Sequence, residues 1–294
     1  MKFKRLNKYQ IPTQPHEVTL NECFSWLLDV EPLKPAKWAK LEQEPDEKER
    51  LNILGAFSDK FINGPLRLFF ETNLCFFSGL NMEQVKRFDM AQLTELYYLT
   101  QGAILPPKYE YKEVLKVGKE FYKLPGVNMI DSILFQYAES DQLEQNAERN
   151  EQNKIFIFAD IMAILLRKEG EPLYLADNAI KARANGFKTA TMAQSWQVYN
   201  YFQETKKAVR AKFGSTLFSK PSREEKKAGV KGLQDSFGWL LTIKRLAEKK
   251  IFDISGFNSQ DSVLNTNTWE CLTHLAADNA INAYKGRLYD IKTK

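Results

Sequence analysis

Residues Ile155–Leu166 read IFIFADIMAILL, an apolar run of 12 residues broken only by Asp160. A bilayer span takes about 20 residues. The run is too short for that and must be buried in protein. It is followed by the polar break Arg167-Lys168-Glu169-Gly170-Glu171-Pro172 and then by a mixed helical pattern ending in Trp196, Tyr199, Tyr201 and Phe202. At 294 residues the chain is long enough to build a sizeable core as one or two domains.

The remaining patterns predict a mainly α protein with some β structure. Phe3–Ile11 alternates and stops at Pro12 and Pro15, as a short strand would. Thr19 with Glu22 forms a capping box before a helix Leu20–Val30. Three prolines (Pro32, Pro35, Pro45) make Glu31–Asp46 an irregular connection with a short helix around Trp38. Apolar residues at three- and four-residue spacing predict a helix over Asp46–Phe61. Further helices are expected over Pro65–Phe77, from Asn81 through Arg87, and over Met90–Thr100. Tyr109–Leu124 reads as a β-hairpin with Gly118 in its turn, able to share a small sheet with the N-terminal strand. Asn128, with Asp131 three residues on, reads as the cap of a helix Met129–Ala138. The polar tract Ser140–Asn153 reads as a mobile loop or exposed helix end. Helices are then expected over Ile155–Arg167, Leu175–Phe187, Thr191–Phe213, Asp235–Lys250 and, capped by Thr268, from Trp269 to about Tyr289, with a short turn at Asp261–Asn265.

These elements group as an N-terminal α+β region (1–140), a helical region (154–213), a basic linker (214–232) and a C-terminal helical region (233–294). Lys8–Leu28 and Glu120–Ser140 share the order strand, turn, helix, which is either chance or an old duplication.

Signals for chemistry are sparse. The two histidines, His16 and His274, form no ligand pair, and the three cysteines are far apart, so no metal site is expected and the thiols read as reduced. No phosphate-binding glycine loop and no G-x-S-x-G elbow is present. No catalytic residue and no cofactor is assigned, and an enzyme is not expected. Asp160 reads as an acid that faces a polar partner such as Arg167 or Lys168 or reaches solvent at the helix edge, with a buried functional acid as the less favoured reading. The N-terminus has no apolar signal core, so an intracellular protein is expected, with no membrane partner.

Charge is unevenly distributed. Thr205–Lys250 holds 13 Lys and Arg against four acids, while Glu139–Glu151 is rich in acids and amides. Lys206, Lys207, Arg210, Lys212, Arg223, Lys226, Lys227 and Lys231 are candidates for contact with an acidic protein or, as the less favoured reading, with nucleic acid. No nucleic-acid reading motif accompanies them. The aromatics Trp196, Tyr199, Tyr201, Phe202 and Trp239 are candidates for partner binding.

Ala159–Glu204 resembles a pattern found in tail assembly chaperones and other tail and baseplate assembly proteins of tailed bacteriophages. The resemblance rests on the apolar helix Ile161–Arg167 and its Gly170-Glu171 turn, an Ala-and-basic helix Ala179–Phe187 leading to Lys188, and a third helix Met192–Phe202 ending in aromatics. Glu17-Val18-Thr19-Leu20 resembles the same group's helix start upstream, and Asn200-Tyr201 departs from its Phe-rich end. The resemblance implies a non-enzymatic protein that binds a tail component in the host cytoplasm. A protein retained in the virion, and a homo-oligomer, remain open alternatives.

Overall fold

The computed structural model describes residues 18–78, 80–102, 104, 106, 110–217, 223–227, 229 and 237–293. The expected strand Phe3–Ile11, His16, Lys220 and Lys231 lie outside them. The described chain is mainly helical with one two-stranded antiparallel sheet, so the expected fold class is observed. It divides into two compact units: Met1–Lys108 with Lys188–Trp196, and Tyr109–Phe187 with Gln197–Lys294.

In the first unit, α1 (Leu20–Asp29) starts at the expected capping box. The Glu22 N–H donates to Thr19 Oγ1 at 3.2 Å, and the Thr19 N–H donates to Glu22 Oε2 at 2.7 Å. Helices α2 (Ala36–Gln43) and α3 (Glu47–Gly55) follow. The single helix expected over Asp46–Phe61 is interrupted, because Ser58 accepts from the Phe61 N–H and starts a new turn. Gly64 and Pro65 then lie in a π turn, Ile62–Leu66, that leads into α4 (Arg67–Ser78). The short α5 (Met82–Val85) and the longer α6 (Met90–Gly102) follow. Residues 188–192 join through the hydrogen bonds Leu20 N–H to Ala190 O (2.8 Å) and Met192 N–H to Val18 O (2.7 Å). The core is aromatic: Trp38 meets Phe70 edge-on at 5.1 Å, and Tyr97 lies 5.0 Å from Phe70 and 5.3 Å from Phe69. A buried polar chain crosses it, from Trp26 Nε1 to Asn73 Oδ1 (2.7 Å) and from Asn73 Nδ2 to Thr100 Oγ1 (2.8 Å).

The second unit opens with the hairpin β1 (Val114–Val117) and β2 (Glu120–Lys123), in the register Val114↔Lys123 to Val117↔Glu120. Gly118 has φ +60°, the left-handed conformation a two-residue hairpin turn needs. Leu115 and Val117 point inward. The free edge of β2 pairs with Arg167, through Lys123 N–H to Arg167 O (2.7 Å) and the reciprocal bond (3.1 Å). This pairing ends the apolar helix. Lys154–Ile157 forms a 3-10 turn capped by Asn153, α8 spans Phe158–Leu165, and Leu166 is already extended. Except for Asp160, every side chain of α8 is at most 2% exposed. Each buried Ile, Leu, Met or Phe contributes about 1.5–3 kcal/mol.

Two expectations are corrected around this helix. Ser140–Asn153 is neither a mobile loop nor a wholly exposed helix end: α7 (Leu134–Arg149) covers it as far as Arg149 and buries Ser140, Asp141, Glu144 and Ala147. The helix expected at Met129 begins instead at Leu134, since Asn128 and Met129 have φ +57° and +59°, which no helix start tolerates. The unit continues with α9 (Asp177–Phe187) and α10 (Met192–Leu217), of which the part from Gln197 belongs here. Then come α11 (Trp239–Glu248), α12 (Ser259–Leu264) and α13 (Thr268–Thr293). Gly238, before α11, has φ +45°, and a Cβ there would run into Gln142. The α13 cap is Asn267 rather than Thr268: Asn267 Oδ1 accepts from the Trp269 N–H at 2.9 Å, while Thr268 is buried against Ser132 Oγ at 2.7 Å.

Replacing Asn73 by Ala leaves the buried Trp26 N–H without its acceptor and Thr100 Oγ1 without the bond it accepts, while the Thr100 hydroxyl keeps its own bond to Tyr97 O. The substitution is expected to lower unfolding free energy by about 1–3 kcal/mol, read as a lower urea midpoint.

Candidate functional site

The acid-rich and the basic tracts meet inside the second unit. Asp141 and Glu144 stand one turn apart on α7; Tyr199, Gln203 and Lys206 share one face of α10 at spacings of four and three. Lys206 Nζ lies 2.7 Å from both Asp141 Oδ1 and Glu144 Oε2. Glu144 Oε1 accepts from the Tyr199 hydroxyl (2.5 Å), Gln203 Nε2 (2.9 Å) and Lys154 Nζ (3.0 Å). Asp141 Oδ2 accepts from Trp239 Nε1 (2.9 Å) and Gln145 Nε2 (2.6 Å).

Burial alone would push the Glu144 carboxyl up. The hydrogen bonds of Lys206, Tyr199 and Gln203 and the Lys206 charge outweigh it and hold the carboxyl at about 2. Burial would likewise lower Lys206, but its two carboxylates raise it. A carboxylate with its lone pairs so engaged and so low a pKa is a poor proton acceptor at neutral pH. The geometry makes this cluster a structural clamp between α7 and α10. Cys23 and Cys271 are pushed up to about 12 by burial, so both are protonated thiols at neutral pH.

This arrangement redirects the candidate residues. Tyr199, Tyr201 and Phe202 are buried: Tyr199 stacks on Phe158 at 4.8 Å, and Phe202 lies 5.8 Å from Tyr137. Trp239 meets Tyr137 edge-on at 5.6 Å, and Trp196 donates to Ile104 O at 2.7 Å within the first unit. The rings of Tyr199, Tyr201 and Phe202 are taken up in packing, while Trp196 and Trp239 are half-buried. Among the basic candidates, Lys206 is internal and Lys207 pairs with Glu204 at 2.6 Å. Lys212 Nζ lies over the Trp269 ring at 4.9 Å. Arg210, Arg223, Lys226 and Lys227 are exposed. Arg167 does not pair with an acid: it donates to the carbonyls of Ala163, Leu166, Pro172 and Leu173, and Lys168 pairs with Glu120.

The structure adds a feature that periodicity could not show. The loop Gly126–Ser132 carries two consecutive non-glycine residues at positive φ, Asn128 and Met129, each a strained conformation of order 1–3 kcal/mol. Dense hydrogen bonding holds it. The Tyr201 hydroxyl accepts from the Met129 N–H (3.0 Å) and donates to Gly126 O (2.9 Å). Trp269 Nε1 donates to Asn128 O (2.7 Å), Asn267 Nδ2 to Ile130 O (2.7 Å) and Ser132 Oγ to Met129 O (2.8 Å). Asp131 accepts from the Gly126 N–H. The loop so fixed presents Val127 and Ile130, 61% and 67% exposed. A neighbouring pocket of about 80 Å³ is lined in part by Gln136, whose buried Oε1 has no partner; it has room for a few waters.

Among the described residues there is no group of three or more potential metal ligands, and no helix long and apolar enough to cross a membrane. Comparison of the chain with protein-family models, with curated proteins and with solved structures gives no match.

Glu144 has a folded pKa below its ordinary value of about 4.3. Its contribution to stability is therefore complete above about pH 5 and disappears as pH falls from about 4 toward 2. Urea unfolding across that window is expected to be steeper in pH for the native chain than for Glu144→Gln. Lys206→Met removes the cation shared by Asp141 and Glu144, leaving Glu144 with Lys154, and is expected to destabilise by about 3 kcal/mol, read as a lower urea midpoint.

Proposed function

We propose that this chain is a non-enzymatic protein-binding factor of a tailed bacteriophage, acting in tail assembly by docking a tail component. The observation that carries the binding role is the Gly126–Ser132 loop. Two aliphatic side chains are held in solvent on a backbone that is strained and fixed by hydrogen bonds to Tyr201, Trp269 and Asn267. A preordered apolar loop loses little entropy on docking. The place in tail assembly rests on the resemblance of Ala159–Glu204 to tail assembly proteins. The observed order of that segment, a buried α8, the Gly170-Glu171 turn, α9 and α10, agrees with the helix order of the pattern. The aromatics of α10 support the reading indirectly, since Tyr201 braces the loop instead of touching the partner. The sequestering of Lys206 weakens the nucleic-acid alternative.

Co-expression with the tail proteins encoded by the same genome tests the reading. The native chain is expected to co-purify with one of them, and Val127→Asp/Ile130→Asp to fold normally yet lose it. Normal binding by that variant, or no binding of any tail protein by the native chain, would overturn the proposal. Stoichiometric copies in purified particles would assign the chain to the virion rather than to a transient chaperone role.

A further inference from the structure

The first half of helix α13 is anchored by burial and polar contacts. Cys271, Leu272 and Leu275 are buried, Asp278 pairs with Lys249, and Asn279 Nδ2 donates to Thr216 O at 2.9 Å. From Ala280 to Arg287 every residue is exposed. Yet this half still carries an apolar pattern. Ile281, Tyr284, Leu288 and Ile291 follow one another at spacings of three, four and three, the a and d positions of a heptad repeat. Ile281, Tyr284 and Ile291 are 50%, 58% and 74% exposed, and Leu288 is half-buried. In this frame Lys285 and Arg287 are the e and g residues flanking the seam, and both are exposed cations.

We infer that the C-terminal half of α13 is a docking helix for an acidic amphipathic helix of another protein. That partner carries aliphatic residues on its own seam and Glu or Asp beside it. The charges select this occupant. Residues at e and g lie across from those of the partner helix and decide pairing. A second copy of this chain would place Lys285 and Arg287 against cations of its own kind, which repel, whereas an acidic helix pairs with them. The shape of the stripe argues against an anionic lipid surface. Helices that lie on membranes bury a broad apolar face, whereas this one is a narrow a/d seam with Asn282, Ala283 and Gly286 filling the rest of the turn. The surface is separate from the Gly126–Ser132 loop, so it extends the binding role without depending on it.

The probe is a fluorescent three-heptad peptide with Leu at a and d and Glu at e and g, titrated with the full chain and followed by anisotropy. Its control has Lys at e and g. The acidic peptide is expected to bind about tenfold more tightly than the control at low salt, with the gap narrowing at high salt. Ile281→Asp/Ile291→Asp is expected to abolish binding with no loss of thermal stability, since both side chains are exposed. Val127→Asp/Ile130→Asp is expected to bind the peptide normally, which separates this surface from the loop. Equal affinity for both peptides, or binding that survives Ile281→Asp/Ile291→Asp, would overturn the inference. So would a native dimer that this variant converts to monomer, or seam-dependent capture by phosphatidylglycerol vesicles without preference between the peptides.

Discussion

A helix whose faces are almost all apolar needs partners on almost every side, and α8 imposes that requirement on the second unit. Phe158 to Leu166 exclude water nearly completely, so α7, α9 and the α10 side chain Tyr199 must gather around them. The helix can be only as long as this enclosure. Its end is set where the Arg167 backbone joins the edge of β2 and the guanidinium donates to the carbonyls of Ala163, Leu166, Pro172 and Leu173. Burial lowers the Arg167 pKa to about 10, with the Arg183 charge adding to the effect, and those carbonyls supply what water would have given.

Apolar enclosure alone does not fix how α7 and α10 face each other. The Asp141–Glu144–Lys206 cluster does, because ions can be buried only when each meets its counter-charge and hydrogen bonds. Such a cluster has one satisfactory register, whereas aliphatic faces can slide with smaller penalties. The opposite side of the same helix, two residues on from Tyr199, carries Tyr201 to the Gly126–Ser132 loop, so core, clamp and loop all depend on α10. A binding loop in the proposed role draws its rigidity from this continuity.

These two exposed apolar surfaces of the second unit differ in kind. The loop is strained and tied down on several backbone atoms, as suits a fixed knob. The end of α13 is an unstrained helix with a seam and a charge code, as suits pairing with another helix. In the proposed role, a protein with both would hold one partner firmly and recruit another by charge.

Much of the local structure was legible in the sequence. The Thr19–Glu22 box, the Gly118 hairpin and the burial of Ile155–Leu166 follow from capping geometry, positive φ and hydrophobicity, which act within a few residues. Expectations failed where the deciding partner was distant. Ser140–Asn153 looked like a loop because its acids cannot be buried alone; Lys206, 62 residues after Glu144, makes their burial possible. Asn128 looked like a cap because its side chain suits one, but hydrogen bonds from Tyr201 and Trp269 hold the backbone in a left-handed turn. The aromatics of α10 looked like binding residues because composition cannot tell an interior face from an exterior one. The sequence by itself determined most of the helical segments, which helix must be interior and where charge accumulates. Only the tertiary structure decided which charges neutralise each other and which apolar groups stay in water, because both depend on pairings between residues far apart in the chain.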